Sequence, residues 1–593
     1  MRLIWSILLA ALLQLRPATS SPRDAVERAL PLLQRSAVEF VSKRTCFSCH
    51  HNALPILTLH LAKTRGFRID ATALAAVEEK TFAPLRASDA LDQTIQAATL
   101  SDPTPNESYL LMAAAAAGLE RSLTTAVRAE QILTWQEPDG HWGTSDFRPP
   151  HSNSYFTATA TAVRAIRYYA PSELQARKQR AMEQAREWLR KTPPASTEDA
   201  AFRVMGLVWS AAPTRDIASA KADLLALQSP DGGWPQLRGY ESDAYSTGES
   251  LFALREASVE PSEAAWQRGA QFLLHDQAAD GSWHVHTRML SPAEVSPPYF
   301  STGFPYGKDE FLSYAGTSWA VMALLRNEPE TSESPLKNSV EPEPWIRTAL
   351  FGTSDQLGRL LEAGLSVNSK TSGGTTLLMM AAPDGDKVKL LLSRGADVKA
   401  RGTSGHDALT IAASRRNTTA SLRALLDAHA DVTPPESAHA RRSPLVFAAM
   451  AGDLANVKLL VSRGADASDG SALAEAITFG HTEVVRALIQ AGADTGLTEG
   501  SGVNLLHWAT ITGRAPVIPL LVKAGVPLND KDKAGFTPLM YAATLDYGNT
   551  AALRALLAAG ADTTIRNPEN RTPLEQAAYF KHTAVEAELK RHK

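Results

Sequence analysis

Cysteine is scarce in this chain: there are two among 593 residues. Two thiols cannot build a disulfide framework, so stability must come from packing. Surplus charge of either sign is also missing, because Lys and Arg total 60 against 63 for Asp and Glu, for a net charge of −3. That balance leaves no electrostatic footprint for nucleic acid or an anionic membrane. Alternating β-branched stretches are rare while alanine is abundant, which argues against a sheet and predicts an all-α protein. Beyond the N-terminus no stretch holds 18 uninterrupted apolar residues, so no membrane span is expected in the mature chain. What remains is an ordinary globular composition, 44% hydrophobic and 21% charged, in a chain long enough to need two or more domains.

The first 20 residues stand apart. Arg2 supplies a short basic region, Leu3 to Leu13 an apolar run too short to span a bilayer, and Ala18-Thr19-Ser20 small residues at cleavage positions. This is the pattern of a secretory signal, and it predicts an exported protein, periplasmic or secreted.

Both cysteines fall in one stretch, Cys46-Phe47-Ser48-Cys49-His50. Cys-x-x-Cys-His is the attachment spacing of a c-type haem, with two thioether bonds and the imidazole as axial iron ligand. A covalent haem c is therefore expected on Cys46, Cys49 and His50, with His50 as the metal ligand. Export agrees with it, since such attachment takes place outside the bacterial cytoplasm. Three other readings stay open: two small thiols that merely pack, a Cys-x-x-Cys redox pair, and a zinc site using Cys46, Cys49, His50 and His51. A second axial ligand has five candidates, His141, His151, His284, His286 and Met289, among which the sequence does not choose.

Residues 21–327 repeat. Gln136 to Trp142, Gln228 to Trp234 and Gln277 to Trp283 each follow an amphipathic helical stretch, carry an Asp-Gly turn, and lead into a small, Thr-rich helix. The segment resembles the QW repeat of the terpenoid cyclase and prenyltransferase toroids, typified by squalene–hopene cyclase. In that family the glutamine and tryptophan tie outer-helix ends to the next hairpin. Second-helix starts are expected near Asn52, Ser108, Ser154, Asp199, Ala244 and Ser313, the middle ones roughly 45 residues apart. The resemblance thus implies a six-hairpin α/α toroid, interrupted by an insertion from His284 to Phe311. In this register the Cys46 to His50 stretch takes the place of a Gln-to-Trp turn, at the end of the toroid where inner helices begin.

The resemblance also implies a test for enzymatic activity. Toroid cyclases use the middle aspartate of Asp-x-Asp-Asp-Thr-Ala as the acid, and the nearest match here is Asp243-Ala244-Tyr245-Ser246-Thr247-Gly248. Tyr245 stands where the proton donor belongs, and a phenol is too weak an acid for that task. There is no Asp-Asp-x-x-Asp diphosphate site, and no cysteine within the barrel for a prenyltransferase zinc. The expectation is a scaffold without catalytic residues.

Residues 328–344 are rich in Pro, Glu and Ser and predict a solvated linker. Residues 345–593 form a second array: Thr537-Pro538-Leu539 and Thr572-Pro573-Leu574 match the ankyrin opening, and Gly-Ala-Asp closes units at Gly395, Gly464, Gly492 and Gly560. Gly364, His429 and Gly525 hold that place in divergent copies, giving about eight units of an ankyrin solenoid. The expected function is an exported haem protein with an electron-transfer or haem-sensing role, a redox partner, and a protein partner on the ankyrin array. The alternatives are a haem-free isoprenoid- or lipid-binding toroid and a divergent cyclase-like enzyme.

Overall fold

The computed structural model describes residues 21–44, 49–96, 103–146, 148–151, 153–288, 300–327, 336–339, 343–433, 442–468 and 470–592. The signal segment, Cys46 and Met289 lie outside these residues, and of Cys49 only the backbone is described.

The chain is all-α. Its first region contains α1 (Pro22–Lys43), α2 (Leu54–Thr64), α3 (Ala71–Arg86), α4 (Ala90–Gln96), α5 (Pro103–Ala116), α6 (Leu123–Thr134) and α7 (Tyr155–Tyr169). It continues through α8 (Gln175–Lys191), α9 (Thr197–Trp209), α10 (Thr214–Leu225), α11 (Ala244–Glu256), α12 (Ala264–Asp276) and α13 (Glu310–Leu325). Helices α2, α5, α7, α9, α11 and α13 pack in succession and α13 returns to α2, closing a ring of six inner helices. Helices α1, α3, α6, α8, α10 and α12 pack around it as the outer layer. Small side chains let the inner helices come close. A Cβ on Gly248 would lie 2.5 Å from the Ala320 backbone nitrogen, so the α11–α13 contact needs glycine there.

Each Gln-to-Trp turn is bonded in the same way. The amides of Gln136, Gln228 and Gln277 donate to the carbonyls of Ala181, Ala265 and Ala25, on the next outer helix in each case. The indoles of Trp142, Trp234 and Trp283 donate back to Ile132, Leu224 and Leu273. Their backbone N–H groups donate to Thr159, Thr247 and Thr317 on the following inner helix. Because Ala25 belongs to α1, the Gln277 turn joins the last hairpin to the first.

From Pro344–Phe351 with Ser354–Glu362 to Pro573–Tyr579 with Thr583–Arg591, the second region runs through eight helical hairpins whose first helices stack in series. The unit-closing positions read from the sequence all adopt positive φ, and His429 does so (φ 65°) as Gly364, Gly395, Gly464, Gly492, Gly525 and Gly560 do. That left-handed residue caps the second helix of each unit.

The described residues of the linker, 336–339, lie against the toroid. Leu336 packs against the toroid core, and Arg121 exchanges backbone bonds with Lys337 and Ser339 (2.8 Å each). The array also lies along the toroid over most of its length. Ile95, Leu123, Ala126 and Val127, from α4 and α6, belong to the array's apolar core. Gln96 bonds Gly373, Thr375 and Ser404, and its carbonyl receives His406 Nδ1 at 2.8 Å. Farther along, the Trp135 indole donates to the Ser414 carbonyl, Arg416 pairs with Glu137, and Arg514 reaches Tyr155 and the Thr144 carbonyl. Tyr240 and Arg288 meet Asp546 at 2.7 Å. Among the described residues, no helix is long and apolar enough to cross a membrane.

Candidate functional site

The π-helical turn Cys49–Ala53 carries His50 into the mouth of the ring, where inner helices begin. Aromatic side chains from three directions enclose it. The His50 ring stacks on Phe311 of α13 (5.2 Å between centroids), and His51 stacks on Tyr314 (4.0 Å) and Phe40 (4.7 Å). His50 and His51 touch through their Nδ1 atoms. Across the mouth stands His151, which follows the cis Pro149–Pro150 bond, with its ring centroid 5.8 Å from that of His50.

Loss of hydration pushes all three imidazoles down, His50 and His51 well below the usual histidine range and His151 to about 4. They are neutral at pH 7, the form that coordinates metal. The two nitrogens of His151 differ. Nδ1 lies 3.1 Å from the Tyr245 hydroxyl, while Nε2 is buried without a hydrogen-bond partner among the described residues. Tyr245 in turn donates to Glu198 Oε2 (2.9 Å), and Thr157 donates to the other carboxyl oxygen (2.6 Å). With the phenol proton given to Glu198, the phenol oxygen accepts Nδ1–H of His151 and the imidazole lone pair falls on Nε2.

The other proposed axial ligands lie elsewhere. His141 bonds Asp139 and packs between Tyr155 and Trp188. His284 and His286 converge on Asp309 instead (2.9 and 3.2 Å). Cys46 and Met289 fall outside the described residues.

Two residues that the sequence reading passed over line the axis. Glu198 and Glu249 are fully buried, and neither Glu249 carboxyl oxygen has a hydrogen-bond partner among the described residues. Burial raises Glu198 to about 8 and, with the nearby Glu198 charge, lifts Glu249 well above the carboxylate range. The signal that could have found them is an acidic residue set among Ala, Ser, Thr and Gly on a predicted inner helix, as in Ser246-Thr247-Gly248-Glu249-Ser250.

The family profile described as "Ankyrin repeats (3 copies)" matches residues 345–436, 434–499, 473–567 and 506–590. The C-terminal region is an ankyrin repeat array. The chain is 30% identical over 236 residues to the Ankyrin repeat and KH domain-containing protein mask-1 of Caenorhabditis elegans, a match covering 38% of this chain and 9% of that protein. It is 37% identical over 73 residues to human Protein phosphatase 1 regulatory subunit 27, covering 12% of this chain and 46% of that one. The crystal structure of the human ASB11 ankyrin repeat domain aligns with a TM-score of 0.29 and 22% identity, over 42% of this chain and 98% of that chain. The chain therefore spans less than half the length of these curated relatives, from 9% to 46%. An ankyrin array is a protein-interaction module, and in this chain its turn tips and first-helix ends hold the toroid.

Proposed function

We propose that this is an exported c-type haem protein in which the toroid holds the cofactor and the ankyrin array serves interaction with protein. Cys46 and Cys49 would carry the thioether bonds, His50 would be one axial ligand, and His151 the other. The observation that carries the reading is the buried Nε2 of His151, unpartnered among the described residues, across the mouth from His50, the residue that completes Cys-x-x-Cys-His. A ligating imidazole typically gives its remaining N–H to a carboxylate or other acceptor, and the Tyr245–Glu198 pair supplies that for His151. Phe40, Phe311 and Tyr314 would exclude water from the same mouth. Bound haem supplies reversible one-electron chemistry, which suits electron transfer to a redox partner or haem-based sensing. The haem-free isoprenoid-binding alternative is less well supported, because Glu198, Glu249, Thr157 and Ser250 give the axis a polar lining.

The axial assignment is tested by optical and electron paramagnetic resonance spectra of exported protein matured with a c-type system. The parent should show a six-coordinate, low-spin bis-imidazole signature. His151→Ala should convert it to high spin without releasing haem, and His151→Met should give the distinct His/Met spectrum. An unchanged spectrum in both variants refutes His151 as ligand, while absence of covalent haem from the parent refutes the cofactor itself.

A further inference from the structure

We propose that His284, His286 and Asp309 form an open, three-ligand site for a divalent transition-metal ion of the zinc type, independent of the haem. Local backbone geometry brings the ligands together. In His284-Val285-His286 the middle side chain is fully buried, and the alternation of an extended segment sends both imidazoles to the opposite, solvent side. Val285 is fastened to α13 at both of its polar atoms. Its N–H donates to Ser313 Oγ (3.0 Å), and the same hydroxyl donates to its carbonyl (3.3 Å). Asp309 immediately precedes that helix, so the histidine pair and the carboxylate are carried by one bolted unit.

The donor atoms already converge. Asp309 Oδ2 lies 2.9 Å from His284 Nε2 and 3.2 Å from His286 Nδ1, and the ligand atoms of all three residues lie within 4.8 Å of one another. Bonds of about 2.0–2.2 Å in a tetrahedral site place neighbouring donors about 3.3–3.6 Å apart, so both Asp309–imidazole pairs are within about half an ångström of that spacing, and the imidazole–imidazole pair, within 4.8 Å, needs only a side-chain adjustment. Supporting contacts orient it. The Thr287 N–H donates to Asp309 Oδ1 at 3.0 Å, leaving Oδ2 to face the imidazoles, and Tyr306 stacks on His284 with ring centroids 4.3 Å apart. Two imidazoles and one carboxylate suit zinc, cobalt or iron(II) rather than calcium or magnesium, which prefer oxygen alone. With three protein ligands and His286 82% exposed, at least one coordination position opens to solvent. The site lies two residues from Phe311, the ring on which His50 stacks.

The test uses full-length protein carrying Cys46→Ala and Cys49→Ala, which removes both haem absorbance and any thiolate site, stripped with chelator and titrated with Co2+. The expected result is one equivalent bound with visible ligand-field bands, displaced by Zn2+. His286→Ala, at an exposed position that should leave folding intact, and Asp309→Asn should each weaken binding at least about tenfold. His592→Ala, at another exposed histidine, should change nothing. Failure of the parent to bind Co2+, or binding that persists unchanged in both ligand variants, overturns the proposal. Neither outcome depends on whether haem is attached.

Discussion

The toroid and the ankyrin array are both stacks of two-helix units, but one closes on itself and the other does not. In the toroid the Gln277 turn of the last hairpin grips α1 of the first, so every hairpin has two neighbours. The array ends on a half-exposed unit at each side, where Leu357 and Leu589 are buried but Trp345 and Leu574 are only partly covered. The closed ring gathers its chemistry at the axis, where Glu198, Tyr245, His151 and Glu249 are sealed from water. The open array gathers its polar groups at turn tips and helix ends, and these are the groups that meet the toroid. Closure creates a buried polar interior, whereas openness leaves an edge that packs against the toroid.

Removing the array should have the largest effect on the toroid. A chain of residues 21–343 exposes Ile95, Leu123, Ala126 and Val127 and strands Gln96 and Arg288 without their array partners. It should aggregate or melt well below the full-length protein in thermal unfolding. A fragment as stable as the parent would mean that the interface contributes little.

Glycines separate the closed ring from the open array more finely. At Gly281 φ is +89°, and an added Cβ would strike the backbone of Arg28 and Ala29 at the ring closure. At Gly560 φ is +87° with nothing within 4 Å. Gly281→Ala should cost roughly 3 kcal/mol or more, because backbone overlap adds to left-handed strain, and Gly560→Ala only about 1 kcal/mol. Denaturant melts of the two variants check this, and equal losses would contradict the importance of closure.

The axis should also reveal itself through pH. The folded pKa of Glu198, about 8, lies above the unfolded value of about 4.3. Its contribution is therefore complete below the unfolded pKa and is lost as pH rises through about 8. Glu198→Gln should flatten that decline, an effect on the order of a few kcal/mol, seen as stability curves that converge at acidic pH and diverge toward pH 8. Parallel curves would show that Glu198 is not protonated in the fold. A smaller effect than at Glu198 is expected at the interface, where Gln96→Ala removes side-chain hydrogen bonds to two array turns and should cost about 1–2 kcal/mol in thermal unfolding.

Much of the architecture was legible because its signals are local. The Gln-to-Trp segments specify their turn and both helix contacts within a few residues, and the array's closing glycines specify a left-handed cap. His429 was placed in that series by spacing alone, and its φ of 65° agrees. The mouth was legible in part. The start of α2 followed from the register, but that His151 meets His50 while His141, His284 and His286 lie elsewhere required the ring to close, since these residues are distant in sequence. The interface could not be read at all. Asp92, Gln96, Glu137 and Arg514 each look like solvated polar residues on amphipathic helices or turns, and only the folded pairing shows that they are covered. Glu198 and Glu249 were hidden for the same reason.

The central claim, covalent haem on the Cys46–His50 stretch, is tested most directly by the intact mass of denatured protein exported alongside a c-type maturation system. The expected result is a mature chain heavier by one haem with no thiol left for alkylation, and a Cys46→Ala, Cys49→Ala variant without the added mass. Wild-type protein that accepts two alkyl groups and carries no haem after such expression would contradict it.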